Sequence, residues 1–366
     1  MSRRSKSKAK QGDKHLPPFS SFLTRGRVNH FQIGRYVFLT ATMLLIMLLC
    51  VSIGSVNIAP KDTLSVIWKA ICGLPLPENT AQYIILSTRL PRVVCVALVG
   101  ASLSLCGGVM QGLLKNPLAD GTTLGVSSGA ALGAAIAIAF GITIPQIPFA
   151  GTMGMAMLFA FISIVMILSL AYRMDNSLST NTIILIGVIY SMFVSSIMSL
   201  VITFAADKVR NITFWTMGSL GGSNYTNALV LLVALVGCSV VIFHYIQELN
   251  AFAIGEENAR HIGVNVKKVK LILLIAVSAL IGICVSIGGS IGFVGLVMPH
   301  MTRMVVGPNH KRLLPASLLS GASFLMLADL VARILLNPLE LPIGVVTSFI
   351  GSIAFVYIFY RSRRVK

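Results

Sequence analysis

After residue 35 the chain is a succession of apolar runs, each long enough for a helix to cross a hydrocarbon core of about 30 Å, which takes roughly 20 residues. They occupy residues 36–54, 93–114, 122–141, 149–171, 182–205, 228–247, 270–288, 289–306, 315–335 and 342–360. In lipid the backbone must satisfy its own hydrogen bonds, and a helix does so within one segment. The pattern therefore predicts an all-α polytopic membrane protein of about ten transmembrane helices. A charged fraction of only 11% and a mean hydropathy of +0.87 leave no room for a large soluble domain. The seventh and eighth runs touch at "SIGGSIG", where a re-entrant pair is the alternative.

Residues 1–34 are polar and basic, opening "MSRRSKSKAK", with no pattern of a cleaved signal peptide. They read as a disordered cytoplasmic tail drawn to anionic lipid, and residues 35–366 as one transmembrane domain. With the N-terminus inside and ten crossings, the C-terminus is cytoplasmic too. Of the 29 Lys and Arg, only Lys61, Lys69, Arg89, Arg92, Lys208, Arg210 and Arg333 then fall outside, as the positive-inside bias requires. The net charge of +18 thus reports topology, and no nucleic-acid-binding motif accompanies it.

The runs are nearly free of the ionisable groups that a stand-alone secondary transporter uses to couple to an ion. Asp329 is the one carboxylate well inside a run, and Arg333, four residues on, shares its helical face and can pair with it. No nucleotide-binding loop, catalytic constellation, metal-ligand spacing or cofactor motif is present, so the chain reads as neither enzyme nor metalloprotein. Energy for uphill transport has to come from another subunit. Glycines at helical spacing are frequent: Gly108 and Gly112, then Gly125, Gly129 and Gly133, then Gly288 and Gly292. Such stripes predict close helix packing.

The longest inner connection, "QELNAFAIGEENARHIGVNVKK" (residues 247–268), predicts two short helices broken at Gly255 and Gly263, with Glu256 and Glu257 in the first turn of the second. Glu257, Ala259 and Gly263 have the spacing of the coupling loop of ABC importer permeases, which seats in a cleft of the ATPase. Two further blocks carry the resemblance: "RLPRVVCVALVGASLSLCGGVMQGLLKNPLADGTTLGVSSGAALGA", and "GSIGFVGLVMPHMTRMVVGPNHKRLLPASLLSGASFLMLADLVARILLNPLELPIGVVTSFIGS". With the coupling loop they resemble, in order across residues 89–352, the permease family that imports iron-siderophores, haem and vitamin B12. "ADGTT" departs from it, since the family often has proline after the acidic residue.

The resemblance implies the type II ABC importer permease fold. Its implied partners are a second permease chain, identical or paralogous, two cytoplasmic ATP-binding subunits and an extracytoplasmic solute-binding protein. The implied activity is import of a metal chelate across the cytoplasmic membrane, foremost a ferric siderophore, with cobalamin or haem as alternatives. It also implies site residues. Arg89, Arg92 and Arg333 would meet acidic groups of the binding protein, with Pro91 holding the first two at a helix start. Gly255, Glu256, Glu257, Ala259, Arg260 and Gly263 would form the coupling surface. Met110, Gln111 and Met298 would line the translocation path on the second and eighth spans, together with the fifth. The competing reading is that the arginines pair internally or anchor to lipid, and that the path residues pack within one subunit.

Overall fold

The computed structural model describes residues 30–54, 58–76, 80–144, 150–175 and 178–364. Residues 1–29 of the expected basic tail lie outside these, and the tail's last five positions already belong to a helix that starts at His30. The chain divides into two units, residues 1–38 and 39–366; the first contributes the opening turns of that helix and the second every other described element.

Among the described residues all regular structure of any length is helical. In chain order the helices are α1 (His30–Ser52), α2 (Pro60–Ile71), α3 (Thr80–Tyr83), α4 (Leu90–Leu113), α5 (Val126–Ala139), α6 (Ala150–Met174), α7 (Thr180–Phe204), α8 (Val209–Thr216), α9 (Tyr225–His244), α10 (Ile246–Ile254), α11 (Glu256–His261), α12 (Val266–Gly288), α13 (Val294–Val306), α14 (His310–Ile334) and α15 (Ile343–Arg364). The ten apolar runs correspond to α1, α4, α5, α6, α7, α9, α12, α13, α14 and α15. Seven of these segments are long and apolar enough to span a bilayer, while α5, α13 and the apolar part of α15 are shorter. Short polar side chains set several helix starts: Ser179, Asn224, Asn265 and Asn309 each accept a backbone N–H from the first turn of α7, α9, α12 and α14.

Two boundaries differ from expectation. Pro91 does not open a helix, because helical structure runs without a break from Thr80 to Leu113. Proline cannot donate to the carbonyl four residues back, and a widened π turn, Ile84–Arg89, lies just ahead of it. The ambiguous junction at 289–293 is non-helical: Gly289 and Phe293 both have positive φ, and α13 starts only at Val294. With 13 residues, α13 is about 20 Å long at 1.5 Å per residue, short of a full crossing. Gly292 lies in that junction, so Gly288 and Gly292 make no helical stripe; Gly125 turns the chain into α5 at φ +74 and lies closely against Gly187, Tyr190 and Ser191 of α7.

The core is built on α4 and α12, buried over 78% and 67% of their spanning windows, against 28% for α6 and 22% for α7 and for α9. Glycine permits the tightest approaches. A Cβ on Gly100 would strike the Gly321 carbonyl of α14, and one on Gly107 would strike the Gly295 carbonyl of α13. On the other side of the unit, Gly129 and Gly133 lie against Ser163 and Met155, which closes α5 onto α6 as the stripe predicts.

Candidate functional site

Helices α4 and α14 run antiparallel, so the start of α4 meets the end of α14, and the pair defines two ends. At the first, Arg92 is nearly buried. Its Nε and Nη2 donate to Asp329 Oδ1 at 3.1 and 2.9 Å, and its Nη1 donates to Glu340 Oε1 and Oε2 at 3.1 and 2.9 Å. Asp329 also faces Arg333, as the four-residue spacing predicts. Nε and Oδ2 are 2.9 Å apart, an ion pair whose N–H is not aligned as a hydrogen bond. A buried charge is tolerable only with such partners.

Arg89 and Arg333 have a further task. Arg89 Nη1 donates to the carbonyls of Val51 and Ser52 at 3.0 and 2.8 Å; Arg333 donates to those of Cys50 at 3.0 Å and Ile53 at 3.4 Å. Those carbonyls end α1, where helical geometry leaves the last four without partners and where positive charge suits the helix dipole. Internal pairing thus occupies all three arginines. Of the groups in this network, Glu340 is the open one, its side chain 49% exposed. No motif in the sequence analysis had singled it out.

At the opposite end, the connection 247–268 folds as α10 and α11, broken at Gly255 as expected. Gly263, at φ +89, closes α11: its N–H donates to Arg260 O at 3.0 Å, and the Val264 N–H to Ala259 O at 3.0 Å. This paired C-terminal cap requires a left-handed residue, which explains the glycine without any partner. Ala259 is fully buried against its own chain, as are Leu249 and Phe252, whereas Glu257, Arg260, His261 and Gly263 are exposed, with Ile254 and Ile262 beside them. The exposed face is the one free to meet another protein.

Two polar tethers hold this segment. Asn250 Oδ1 accepts the His310 N–H at 2.9 Å and lies 2.9 Å from His310 Nδ1, while Asn250 Nδ2 donates to Asn309 Oδ1 at 3.3 Å, joining α10 to the start of α14. Glu256 Oε1 is 2.6 Å from Lys270 Nζ of α12 and accepts from Thr180 Oγ1 of α7 at 3.3 Å. Sequence reasoning passed over Lys270 because it stands at the first position of an apolar run, where a lysine ordinarily reaches back to water.

The three path candidates are buried inside the chain. Met110 is inaccessible and Met298 nearly so. Gln111 donates to Leu296 O at 3.0 Å and accepts from Arg303 Nη2 at 3.2 Å, bonds that fasten α4 to α13.

Comparison with known proteins accords with this architecture. The model of the FecCD transport family matches residues 42–361. The uncharacterized ABC transporter permease protein YvrB of Bacillus subtilis is 38% identical over 343 residues, 93% of this chain and 97% of its own. A cobalamin import system permease protein of Halobacterium salinarum is 38% identical over 84% of this chain and 81% of its own. Among solved structures, an inward-facing putative metal-chelate type ABC transporter superposes with a TM-score of 0.78 at 32% identity, covering 90% of this chain and 99% of that one.

Proposed function

The chain belongs to the FecCD transport family and is a multi-pass ABC importer permease, not itself catalytic, and we propose that it carries a metal chelate, foremost a ferric siderophore, across the cytoplasmic membrane. Permeases of this kind work with an ATPase and a binding protein. The observation that carries the cargo class is the likeness, over nine-tenths of the chain, to a transporter described as of metal-chelate type. A second reading, cobalamin, is favoured by the relative of that name at 38% identity. Both are large ligands wrapped around a metal, and they differ in what the binding protein selects.

In this reading the α10–α11 end is cytoplasmic, together with both termini, and the arginine end extracytoplasmic. The charge bias supports it, since Lys115, Arg260, Lys267, Lys268, Lys311 and Arg312 all lie toward α10–α11. The exposed face of α11, Glu257 and Arg260 with Gly263 holding their turn, seats the ATPase; Gly255 breaks the chain ahead of it, and Glu256, turned onto Lys270, couples from behind the contact and takes no part in the seat. The binding protein meets the opposite end. There Arg92 is the arginine best suited to an incoming acid, because Glu340 is its exposed partner and an arriving carboxylate can take the same seat on Nη1. Arg89 and Arg333 serve that surface from behind, by holding α1. The path runs between two permease chains, along α4, α7 and α13. Met110, Gln111 and Met298 line it only when α13 parts from α4, so cysteines there should react with thiol reagents in some nucleotide states and not in others.

The test is direct. The cognate binding protein, titrated by fluorescence with ferric hydroxamates, ferric catecholates and cyanocobalamin, should bind one chelate tightly, and that chelate should be taken up only with the permease and ATPase together. Tight binding of a bare oxyanion or ion with none of the chelates would sink the cargo assignment.

A further inference from the structure

Lys270 is completely buried, five residues into α12. A lysine near a membrane helix end normally extends toward the aqueous face, so one turned fully inward has to be held by what it meets. It meets three elements at once. Nζ contacts Glu256 Oε1 of α11 at 2.6 Å and donates to Leu178 O, just before α7, at 3.0 Å; Thr180 Oγ1, in the first turn of α7, donates to the same Glu256 oxygen at 3.3 Å. Leu178, itself fully buried, adopts a left-handed φ of +52 that its branched side chain disfavours. That turn leaves its carbonyl at the ammonium. Below the short helices, then, lies one charged junction shared by α7, α11 and α12.

The neighbouring tether differs in kind. Asn250 joins α10 to α14 through neutral amide and imidazole groups, and Leu249 and Phe252 pack beneath it by shape alone. The charged junction is the polar link from this segment to α7, a helix otherwise held by packing on α5 and α6 and by the hydroxyl pair of Tyr190 and Ser163. Hydrogen bonds between ions resist both separation and sliding, because their direction is fixed. Apolar packing resists compression but tolerates slip.

We propose that buried Lys270 and half-buried Glu256 form a strut that passes displacement of the α10–α11 segment into α7 and α12, and so sets how much import each ATP yields. Both are positioning residues. The proposal rests on the reading that α11 seats the ATPase, but it concerns transmission and not seating.

The experiment uses the complete transporter in liposomes with its binding protein, and measures three things: ATPase co-purification, ATP hydrolysis, and uptake of whichever probe, cyanocobalamin or a ferric hydroxamate, the binding protein retains. Replacing both partners with apolar residues, Lys270→Met with Glu256→Leu, removes the charge without stranding either ion, a change that folds tolerate. Expected are wild-type co-purification and hydrolysis with import per ATP reduced about tenfold or more, within the usual range of coupling between sites. Glu256→Gln, which keeps the shape and one acceptor, should lower the ratio less, and Lys270→Arg should keep most of it. An unchanged ratio in both the double variant and Glu256→Gln would overturn the proposal and leave the pair a packing feature. Lost co-purification in the double variant would also overturn it, assigning the pair to seating. Glu257→Arg separates the two claims, since normal co-purification there removes the seating reading whatever the ion pair does.

Discussion

At the start of α4, Arg89, Arg92, Asp329 and Arg333 are each less than a tenth exposed and direct their donors and acceptors into their own chain. At the other end, Glu257, Arg260 and His261 stand exposed on a six-residue helix held by two tethers and a few buried apolar side chains. Both ends carry clustered charge. The first uses it to close the structure around the end of α1, and the second leaves a charged face that pairs with nothing among the described residues, above the ion pair of Lys270 and Glu256. Charge count alone, therefore, says little about where a partner binds; what matters is whether the geometry has already consumed the hydrogen-bonding capacity.

Substitutions can break this contrast in graded fashion. The largest effect belongs to Asp329→Ala, which takes the carboxylate from buried Arg333 and leaves Arg92 with Glu340 alone, and should cost about 3–5 kcal/mol, read as a loss of thermal stability in detergent. Arg89→Met removes the arginine's donor from Val51 O and leaves Ser52 O with the Ile58 N–H alone, and should cost about 1–3 kcal/mol; a variant as stable as wild type would show that water replaces the arginine there. Gly263→Ala forces a side chain into a left-handed turn, for about 1–2 kcal/mol, and should loosen α11 enough to lower ATPase co-purification. Glu340→Gln should change stability by less than about 1 kcal/mol, since half of that side chain is in solvent. It should, however, strengthen binding-protein association by removing the carboxylate that competes for Arg92, and weaker association would mean that Glu340 is part of the contact. Glu257→Arg should leave stability within about 0.5 kcal/mol while abolishing co-purification, the sharpest separation of the two ends.

What the sequence made legible follows from locality. Apolar run length located all ten membrane helices; the four-residue spacing paired Asp329 with Arg333; glycine marked both the break and the close of the short helices. What it concealed is long-range. Arg92 and Asp329 are 237 positions apart and Arg333 and Cys50 are 283, and no single-helix pattern encodes either contact. That is why the arginines read as outward-looking. The short α13 was legible only as an alternative: the glycines of "SIGGSIG" marked the junction, but where α13 starts depends on the positive φ of Phe293, which no residue pattern announces. The coupling-loop spacing was legible as a pattern but not as a cause, since Ala259 faces inward and Gly263 serves a cap.

The contact between Gly100 and Gly321 has a mechanical consequence. Where one backbone occupies the space a Cβ would need on the other, neither helix can slide without lifting a carbonyl over a Cα carbon, and α4 and α14 act as a single beam. With 24 residues, α4 is about 36 Å long, so a tilt of about 5° around its middle moves each end by about 1.5 Å. That is enough to break or make the hydrogen bond from Arg333 to the end of α1, or the one between His310 and Asn250 of α10, with no side chain inside the beam changing its neighbours.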